Sequence, residues 1–509
     1  MACTDPLNNK AGSRFELLPV LLSIGQRQKS SARRSFNFGQ PQLSSSTGSK
    51  IRSVNVRRER DRVRRRIFSF GESNGASLEE INATIAVPEK NSGFFRNLRA
   101  FLGPGALVAV GYMDPGNWVT SIGGGQQFGY LLLFVIAISS LVAMLLQHMC
   151  VKLGLVTRQD LAQITRSHTS KTAGVILWVI AELAIMATDV AEVIGAAIAL
   201  NLLFGLHLVW GVLLTVGDVF LLLLLLRVGI RKIEAIVVTL ITTILLVFCY
   251  EVWVASPDMA SMFSGFIPNA QVLGRSELAM ALGIIGATVM PHNLYLHSAI
   301  VQSRAVNQQD KSAVARAVRF ATWDSNLQLG GAFFINCLLL VLGAAFFFGV
   351  PGEFATLGGV YDALQDPQIA GRVASPLLST LFAVALLASG QNSTITGTLT
   401  GQVIMEGFIR LHMPLWLRRL VTRVAAVIPV MICAVLFGES EVAMEQLLVD
   451  SQIFLCLALP ISMVTVVWFT SSAKIMGEFK NPLWMQILGW VITVVLSVLN
   501  ISLIVQIIF

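Results

Sequence analysis

Long apolar segments recur through most of this chain, and they restrict it to one class of fold. A helix needs about 20 residues to cross a hydrocarbon core about 30 Å thick. Only 13% of the 509 residues are charged and the mean hydropathy is +0.70, whereas soluble domains carry roughly 25% charged residues. We therefore predict an all-α polytopic membrane protein. Its eleven predicted transmembrane helices are 102–124, 127–151, 174–204, 208–226, 234–254, 278–302, 326–349, 376–407, 421–438, 446–470 and 483–507.

The positions of the basic residues predict the orientation of these spans. Residues 1–99 hold 18 of the 37 Lys and Arg side chains, and 17 more fall in loops on the same side. Only Arg275 and Arg372 remain for the opposite side. Because cytoplasmic loops carry the excess of Lys and Arg, we expect a cytoplasmic N-terminus and, after eleven spans, an external C-terminus. The expected location is the cell membrane, with an organelle membrane as the alternative.

The first 99 residues differ in composition from the rest, which forms the predicted transmembrane domain at 100–509. Residues 1–70 carry 15 basic and four acidic side chains, and such a segment buries too little apolar surface to order itself. We predict a disordered basic tail at 1–99. It lies on anionic lipid headgroups, or is an organelle transit sequence, or binds a regulatory partner. We interpret the net charge of +8 as a sign of the orientation of the spans in the membrane rather than of nucleic-acid binding.

Two predicted spans are interrupted in the same way in the two halves of the chain. Residues 114–117 read Asp-Pro-Gly-Asn, and residues 290–293 read Met-Pro-His-Asn. Proline removes a backbone donor, and at membrane depth the backbone groups so released must find other partners. Paired interruptions of this kind indicate the binding site of a transporter built from repeats.

The side chains at the two breaks favour a metal cation as the ligand. Asp114 is an ionisable residue inside a span, where it needs a cation, water or a partner. Asn117 adds an amide oxygen, and the break releases backbone carbonyls such as that of Ala287. Met290 adds a thioether, which suits softer divalent metals better than Mg²⁺ or Ca²⁺. The expected substrate is therefore Mn²⁺ or Fe²⁺.

Three acids in the third span indicate a functional rather than a structural role. Asp189 and Glu192 are three residues apart, and Glu182 is seven before Asp189, so all three share one helix face. Neighbouring acids raise each other's proton affinity. His292 either packs as a neutral ring or adjusts proton coupling, and for His297 we expect packing.

Several motifs in order resemble the Nramp family of proton-coupled divalent metal ion transporters, of the bacterial manganese type. The resemblance rests on the two breaks and on motifs in the third and eighth spans, at 181–182, 188–192, 388–394, 401–402 and 405–407. It implies a LeuT-like fold, with broken helices 1 and 6. It also implies inverted repeats of five helices each, at about 102–254 and 278–470, and one added helix at 483–507.

The resemblance also implies roles for particular residues in proton-coupled import of Mn²⁺, Fe²⁺ and related ions into the cytosol. The implied metal ligands are the side chains of Asp114, Asn117 and Met290, the backbone carbonyls of Gly111 and Ala287, and Gln452 when the site closes. The implied proton pathway comprises Asp114, His292, Glu182, Asp189, Glu192 and Arg423. Two positions depart from the family pattern: Gly111 stands where alanine is expected, and Asp450 lies either at the outer mouth or close enough to alter the charge of the site.

The remaining polar residues have simpler interpretations. Asp324 is either the N-cap of the seventh span or a functional acid. The six cysteines show no paired spacing and are expected to be small core residues. We expect no cofactor, and nothing in the sequence demands more than a monomer in the lipid bilayer.

Two other classes of function remain as alternatives. The first is a LeuT-fold symporter of a small organic substrate, although Asp114 would repel a carboxylate. The second is a membrane metalloenzyme or metal sensor. A metalloenzyme needs several His or carboxylate ligands around an activated water, and the six histidines are widely scattered.

Overall fold

The computed structural model describes residues 71–72, 77–78, 81–88, 92–218, 230–349, 356–367, 374–437 and 440–508. These ranges are almost entirely helical. In chain order the helices are α1 (Phe94–Phe101), α2 (Pro104–Val110), α3 (Pro115–Phe128), α4 (Leu133–Thr157), α5 (Leu161–His168), α6 (Lys171–Phe204), α7 (Leu208–Thr215), α8 (Ile230–Ala255), α9 (Met259–Ser264), α10 (Arg275–Thr288), α11 (Pro291–Ile300), α12 (Lys311–Phe347), α13 (Leu357–Ala363), α14 (Pro376–Ile409), α15 (Leu415–Phe437), α16 (Glu441–Ser471), α17 (Ala473–Met476) and α18 (Leu483–Ile508). The strands are β1 (Gly71–Glu72), β2 (Ile85–Ala86), β3 (Arg304–Ala305) and β4 (Leu411–His412).

Within the described ranges, eight helices are long and apolar enough to cross a membrane. They are α4, α6, α8, the joined α10 and α11, α12, α15, α16 and α18. The other three predicted spans correspond to the broken pair α2 and α3, to α7 and to the 34-residue α14. The part of the fourth predicted span beyond residue 218 lies outside the described residues.

Two of the spans that begin earlier than predicted, the seventh and the ninth, do so for the same reason. The seventh span was expected at 326, but α12 begins at Lys311, where the side chain of Asp310 accepts a hydrogen bond from the N–H of Ser312 at 2.8 Å. The ninth was expected at 421, but α15 begins at Leu415. Charged residues at the helix starts look like loop in the sequence, yet Arg418 and Arg419 of α15 are buried inside the bundle.

Residues 77–78, 81–88 and 92–99 of the predicted disordered tail have defined structure and contacts with the rest of the chain. The N–H of Leu78 donates to Glu406 of α14 at 3.0 Å, and that of Ala83 donates to the carbonyl of Gln302 at 3.0 Å. Strand β2 pairs in parallel with β3, and β1 pairs antiparallel with β4. Apolar and backbone contacts with the ends of α11 and α14 order this segment. Residues 1–70 lie outside the described ranges.

The two interrupted helices lie in the middle of the bundle. All residues from 103 to 122 and from 286 to 304 are buried. Helix α3 packs along α12, and α14 packs along α6. The 3-10 turn Gly111–Met113 contacts α10, α12 and α14. A side chain at Gly195 of α6 would overlap the ring of Pro115, so this glycine lets α6 approach the first break closely.

Candidate metal centre

Each break follows from the position of a proline. In a continuous helix the N–H of residue i+4 donates to the carbonyl of residue i. Pro115 stands four residues after Gly111, and Pro291 stands four residues after Ala287. Because proline has no N–H, the carbonyl oxygens of Gly111 and Ala287 lose their helical donors. The sequence thereby releases one specific carbonyl at each break.

The residues between Gly111 and Pro115 complete the first break. Asp114 has extended backbone geometry and is the N-cap of α3, where its Oδ1 accepts a hydrogen bond from the N–H of Asn117 at 3.0 Å. Pro115 occupies the first helical position, where its missing N–H is harmless. The motif Asp-Pro-Gly-Asn therefore ends one helix and starts another within four residues.

Two further carbonyls exposed by the break have permanent partners. The carbonyl of Tyr112 accepts from Nδ2 of Asn336 on α12 at 3.0 Å. The carbonyl of Met113 accepts from Nε1 of Trp118 at 3.1 Å and from the hydroxyl of Ser389 on α14. Neighbouring helices thus satisfy these two oxygens, and the Gly111 carbonyl is left to the site.

Three oxygen atoms converge on one point between the two breaks. Nδ2 of Asn117 lies 2.9 Å from Oδ1 of Asp114, 3.3 Å from the carbonyl of Gly111 and 3.0 Å from the carbonyl of Ala287. An amide nitrogen carries two hydrogens, so three acceptors around it exceed its donors. The same cluster of oxygens, one of them charged, has the composition of a divalent cation site.

Gln452 and Met290 stand beside this point. Gln452 of α16 is fully buried, its amide lies against the Cα of Gly116, and its Oε1 has no hydrogen-bond partner in the described residues. Met290 is fully buried at the start of α11 and packs against Ala184 of α6 and Leu455 of α16. All six residues expected at the metal site are therefore buried in one region around the two breaks.

A second polar cluster joins α6 and α15 with Asp218, which follows α7. Arg419 donates to Glu192 at 2.8 Å and to Asp218 at 3.2 Å, and it is also paired with Asp189. Arg423 donates to Glu192 at 3.3 Å and is paired with Asp218. This buried cluster holds three carboxylates and two guanidinium groups. If all five groups are ionised, it carries one surplus negative charge.

The predicted proton-pathway residues are divided between this cluster and its surroundings. Asp189, Glu192 and Arg423 belong to it. Glu182 forms a separate ion pair with Arg418 at 2.8 Å.

The two histidines of α11 differ in their contacts. His292 is buried, and its Nδ1 has no hydrogen-bond partner in the described ranges. Nδ1 of His297 is 2.8 Å from Oε1 of Gln147. That contact agrees with a packing role for His297.

Sequence reasoning missed two members of the cluster, although both left a signal. Asp218 is an acid inside an apolar run, which by itself indicates a functional or paired group. Arg419 is four residues before Arg423, so the two share a helix face. Arg419 falls in a loop of the predicted topology, and Asp218 stands alone in its apolar run.

Asp324 does not cap its own helix, because it lies well inside α12. Its carboxylate instead accepts hydrogen bonds from the N–H groups of Gly103 at 3.3 Å and Gly105 at 2.7 Å, and so caps α2 from a neighbouring helix. Beside it, Arg304 donates to the carbonyl of Leu102 at 2.7 Å and pairs with Glu234 at 2.9 Å. These groups fix the start of the broken helix.

Asp450 is exposed on α16, where it accepts a hydrogen bond from Gln446 at 2.9 Å. It is therefore not a member of the buried group around the breaks.

Comparison with known proteins extends this picture to most of the chain. The chain is 56% identical over 435 residues to a protein of Latilactobacillus sakei named divalent metal cation transporter MntH, covering 85% of this chain and 95% of the relative. It is 58% identical over 434 residues to a protein of the same name from Staphylococcus haemolyticus, covering 84% and 97%.

Solved structures agree with the predicted fold. The crystal structure of a manganese transporter of Eremococcus coleocola superposes with a TM-score of 0.79 at 54% identity, covering 85% of this chain and 91% of that one. Mhp1, a nucleobase-cation-symport-1 family transporter, superposes with a TM-score of 0.54 at 14% identity, covering 84% and 94%. The second likeness concerns the fold alone, and together they confirm the LeuT-like architecture.

The sequence profile described as natural resistance-associated macrophage protein-like matches residues 105–506. The chain therefore belongs to the Nramp family of membrane transport proteins.

Proposed function

We propose that this chain transports divalent transition-metal ions, Mn²⁺ and Fe²⁺ in particular, by alternating access. The observation that carries the proposal is the convergence of the Gly111 carbonyl, the Ala287 carbonyl and the Asp114 carboxylate on one buried point. For a cation to replace the amide nitrogen there, the side chain of Asn117 has to turn its oxygen inward. The relatives named as divalent metal cation and manganese transporters support the same substrate class.

Met290 supports selectivity for the softer metals. Its thioether is buried at the second break, and sulfur is a poor ligand for Mg²⁺ and Ca²⁺ but acceptable for Mn²⁺ and Fe²⁺. We expect Met290→Ala to lower the preference for Mn²⁺ over Ca²⁺. An unchanged preference would remove the thioether from the proposed site.

Proton coupling is supported by the charge balance of the buried cluster. Its three carboxylates face two guanidinium groups, and an uncompensated buried charge is strongly unfavourable. One proton would neutralise the cluster, and Gly195, one turn after Glu192 on α6, lies against Pro115, the neighbour of Asp114. A proton leaving Asp114 when a cation binds would therefore have an acceptor close by.

The charge distribution in the sequence supports the orientation and location that we propose. The excess of basic residues in the N-terminal segment and alternate loops favours a cytoplasmic N-terminus and an external C-terminus. We place the protein in the cell membrane, where it imports metal into the cytosol as a monomer.

The decisive experiment measures Mn²⁺ uptake and internal pH together in liposomes that contain the purified full-length chain. Wild-type protein is expected to take up Mn²⁺ and acidify the interior, and Asp114→Asn to do neither. Asp450→Asn is the matched control, because it makes the same change in an exposed acid of α16. Uptake by Asp114→Asn would refute the site, and Mn²⁺ uptake without acidification would refute proton coupling.

A further inference from the structure

The two breaks are related by a constant offset in the sequence. Adding 176 to the number of each site residue in the first break gives its counterpart in the second. Gly111 corresponds to Ala287, Asp114 to Met290 and Pro115 to Pro291. The same offset pairs Asn117 with Asn293, and Asn293 is the one member of these pairs to which the proposed site gives no role.

The contacts of the two asparagines repeat the same relationship in space. Asn117 reaches from the first break to the second, where its Nδ2 donates to the Ala287 carbonyl at 3.0 Å. Asn293 reaches from the second break to the first, where its amide lies against the Cα of Gly111. A Cβ on Gly111 would overlap Nδ2 of Asn293. Each asparagine therefore lies against the residue whose carbonyl is released at the opposite break.

The polar atoms of Asn293 are left without protein partners. The side chain is fully buried, and neither Oδ1 nor Nδ2 makes a hydrogen bond to any described residue. A buried amide without hydrogen bonds destabilises a fold, and nearly all buried polar groups in proteins are paired. A group retained in this state, next to the converging oxygens, has the character of a binding residue.

We propose that Asn293 is a positioning residue of the metal site, where its amide oxygen accepts a hydrogen bond from a water molecule carried by the cation. This inference rests on the proposed function. Five protein ligands, before Gln452 joins them, leave room for one water in octahedral coordination. Groups that orient metal ligands in this way alter metal affinity about 10- to 100-fold when they are removed.

The test compares Mn²⁺ binding to purified full-length variants by calorimetry, with the thermal unfolding midpoint as a check of folding. Asn293→Leu keeps the volume but removes the acceptor, and we expect it to weaken Mn²⁺ binding about 10-fold or more. Asn293→Asp keeps an acceptor oxygen in the same place and should bind at least as tightly as wild type. A side chain that only fills space would give the opposite order, because Leu would be tolerated and the buried charge would not.

A second variant keeps the inference testable if Asn293→Leu does not fold. Asn293→Ala removes the amide and adds no apolar bulk, so it should weaken Mn²⁺ binding to the same extent as Asn293→Leu. Asn326→Ala is the control, because it makes the same change at an exposed position of α12. Wild-type affinity in a folded Asn293→Ala variant would overturn the inference.

The outcomes also separate this inference from the proposed function. Wild-type protein that binds no Mn²⁺ would refute the proposed function itself. Tight binding by wild type, its loss in Asp114→Asn and unchanged binding by Asn293→Leu would refute only the role of Asn293.

Discussion

Asn336 and Ser389 each bond one carbonyl of the first break, but their removal should have unequal effects. Asn336 is the only donor to the Tyr112 carbonyl among the described residues, at 3.0 Å. The Met113 carbonyl has two donors, the hydroxyl of Ser389 and Nε1 of Trp118 at 3.1 Å. Asn336→Leu therefore leaves a buried oxygen unpaired, whereas Ser389→Ala does not.

The magnitudes follow from that difference. A buried carbonyl left without a donor costs about 1–3 kcal/mol. The loss of one of two hydrogen bonds to the Met113 carbonyl costs about 0.5–1.5 kcal/mol. We therefore expect the Asn336 variant to be the less stable of the two by about 1 kcal/mol.

The assay is thermal unfolding of the purified full-length variants in detergent, with and without Mn²⁺. Asn336→Leu should show the larger fall in unfolding midpoint without metal. Asn326→Leu is the control, because it makes the same substitution at an exposed position of α12, and it should resemble wild type. Equal midpoints for the Asn336 and Ser389 variants would refute the assignment of one donor to the Tyr112 carbonyl and two to the Met113 carbonyl.

Three further predictions address other parts of the structure. Asp324→Ala removes the acceptor for two N–H groups at the start of α2, so the unfolding midpoint should fall by the equivalent of about 0.5–2 kcal/mol; an unchanged midpoint would show that the cap is dispensable. Gly116→Ala places a methyl group against the amide of Gln452 and should weaken Mn²⁺ binding measured by calorimetry, whereas wild-type affinity would place Gln452 outside the site. Asp218→Asn leaves two acids and two arginines in the buried cluster, so the dependence of Mn²⁺ uptake on pH should flatten; an unaltered pH profile would contradict the charge argument.

The breaks could be predicted from the sequence because their causes are local. Pro115 and Pro291 act on carbonyls four residues away, and a buried acid such as Asp114 is unusual wherever it occurs in a span. The class of fold followed from the apolar segments for the same reason. Local chemistry of this kind does not depend on which helices become neighbours.

The partners of the buried charges could not be predicted, because they depend on packing between distant segments. Arg418 and Arg419 are adjacent in sequence, yet they pair with acids at different positions on α6, Glu182 and Asp189. Asp324 lies more than 200 residues from Gly103, the N–H of which it caps. Charged residues at the starts of α12 and α15 look like loop residues in the sequence. At the start of α15, however, Arg418 and Arg419 form buried ion pairs.

The released carbonyls have a consequence for how this site tolerates variation. Two of its candidate ligands are backbone atoms of Gly111 and Ala287, so their availability is encoded at Pro115 and Pro291, four positions later. Substitution of the side chain at position 111 or 287 would leave both ligands in place and would not reveal them. Replacing either proline would restore an N–H able to reclaim the carbonyl for the helix. The residue types at positions 111 and 287 can therefore change without loss of the backbone ligands, whereas the prolines cannot.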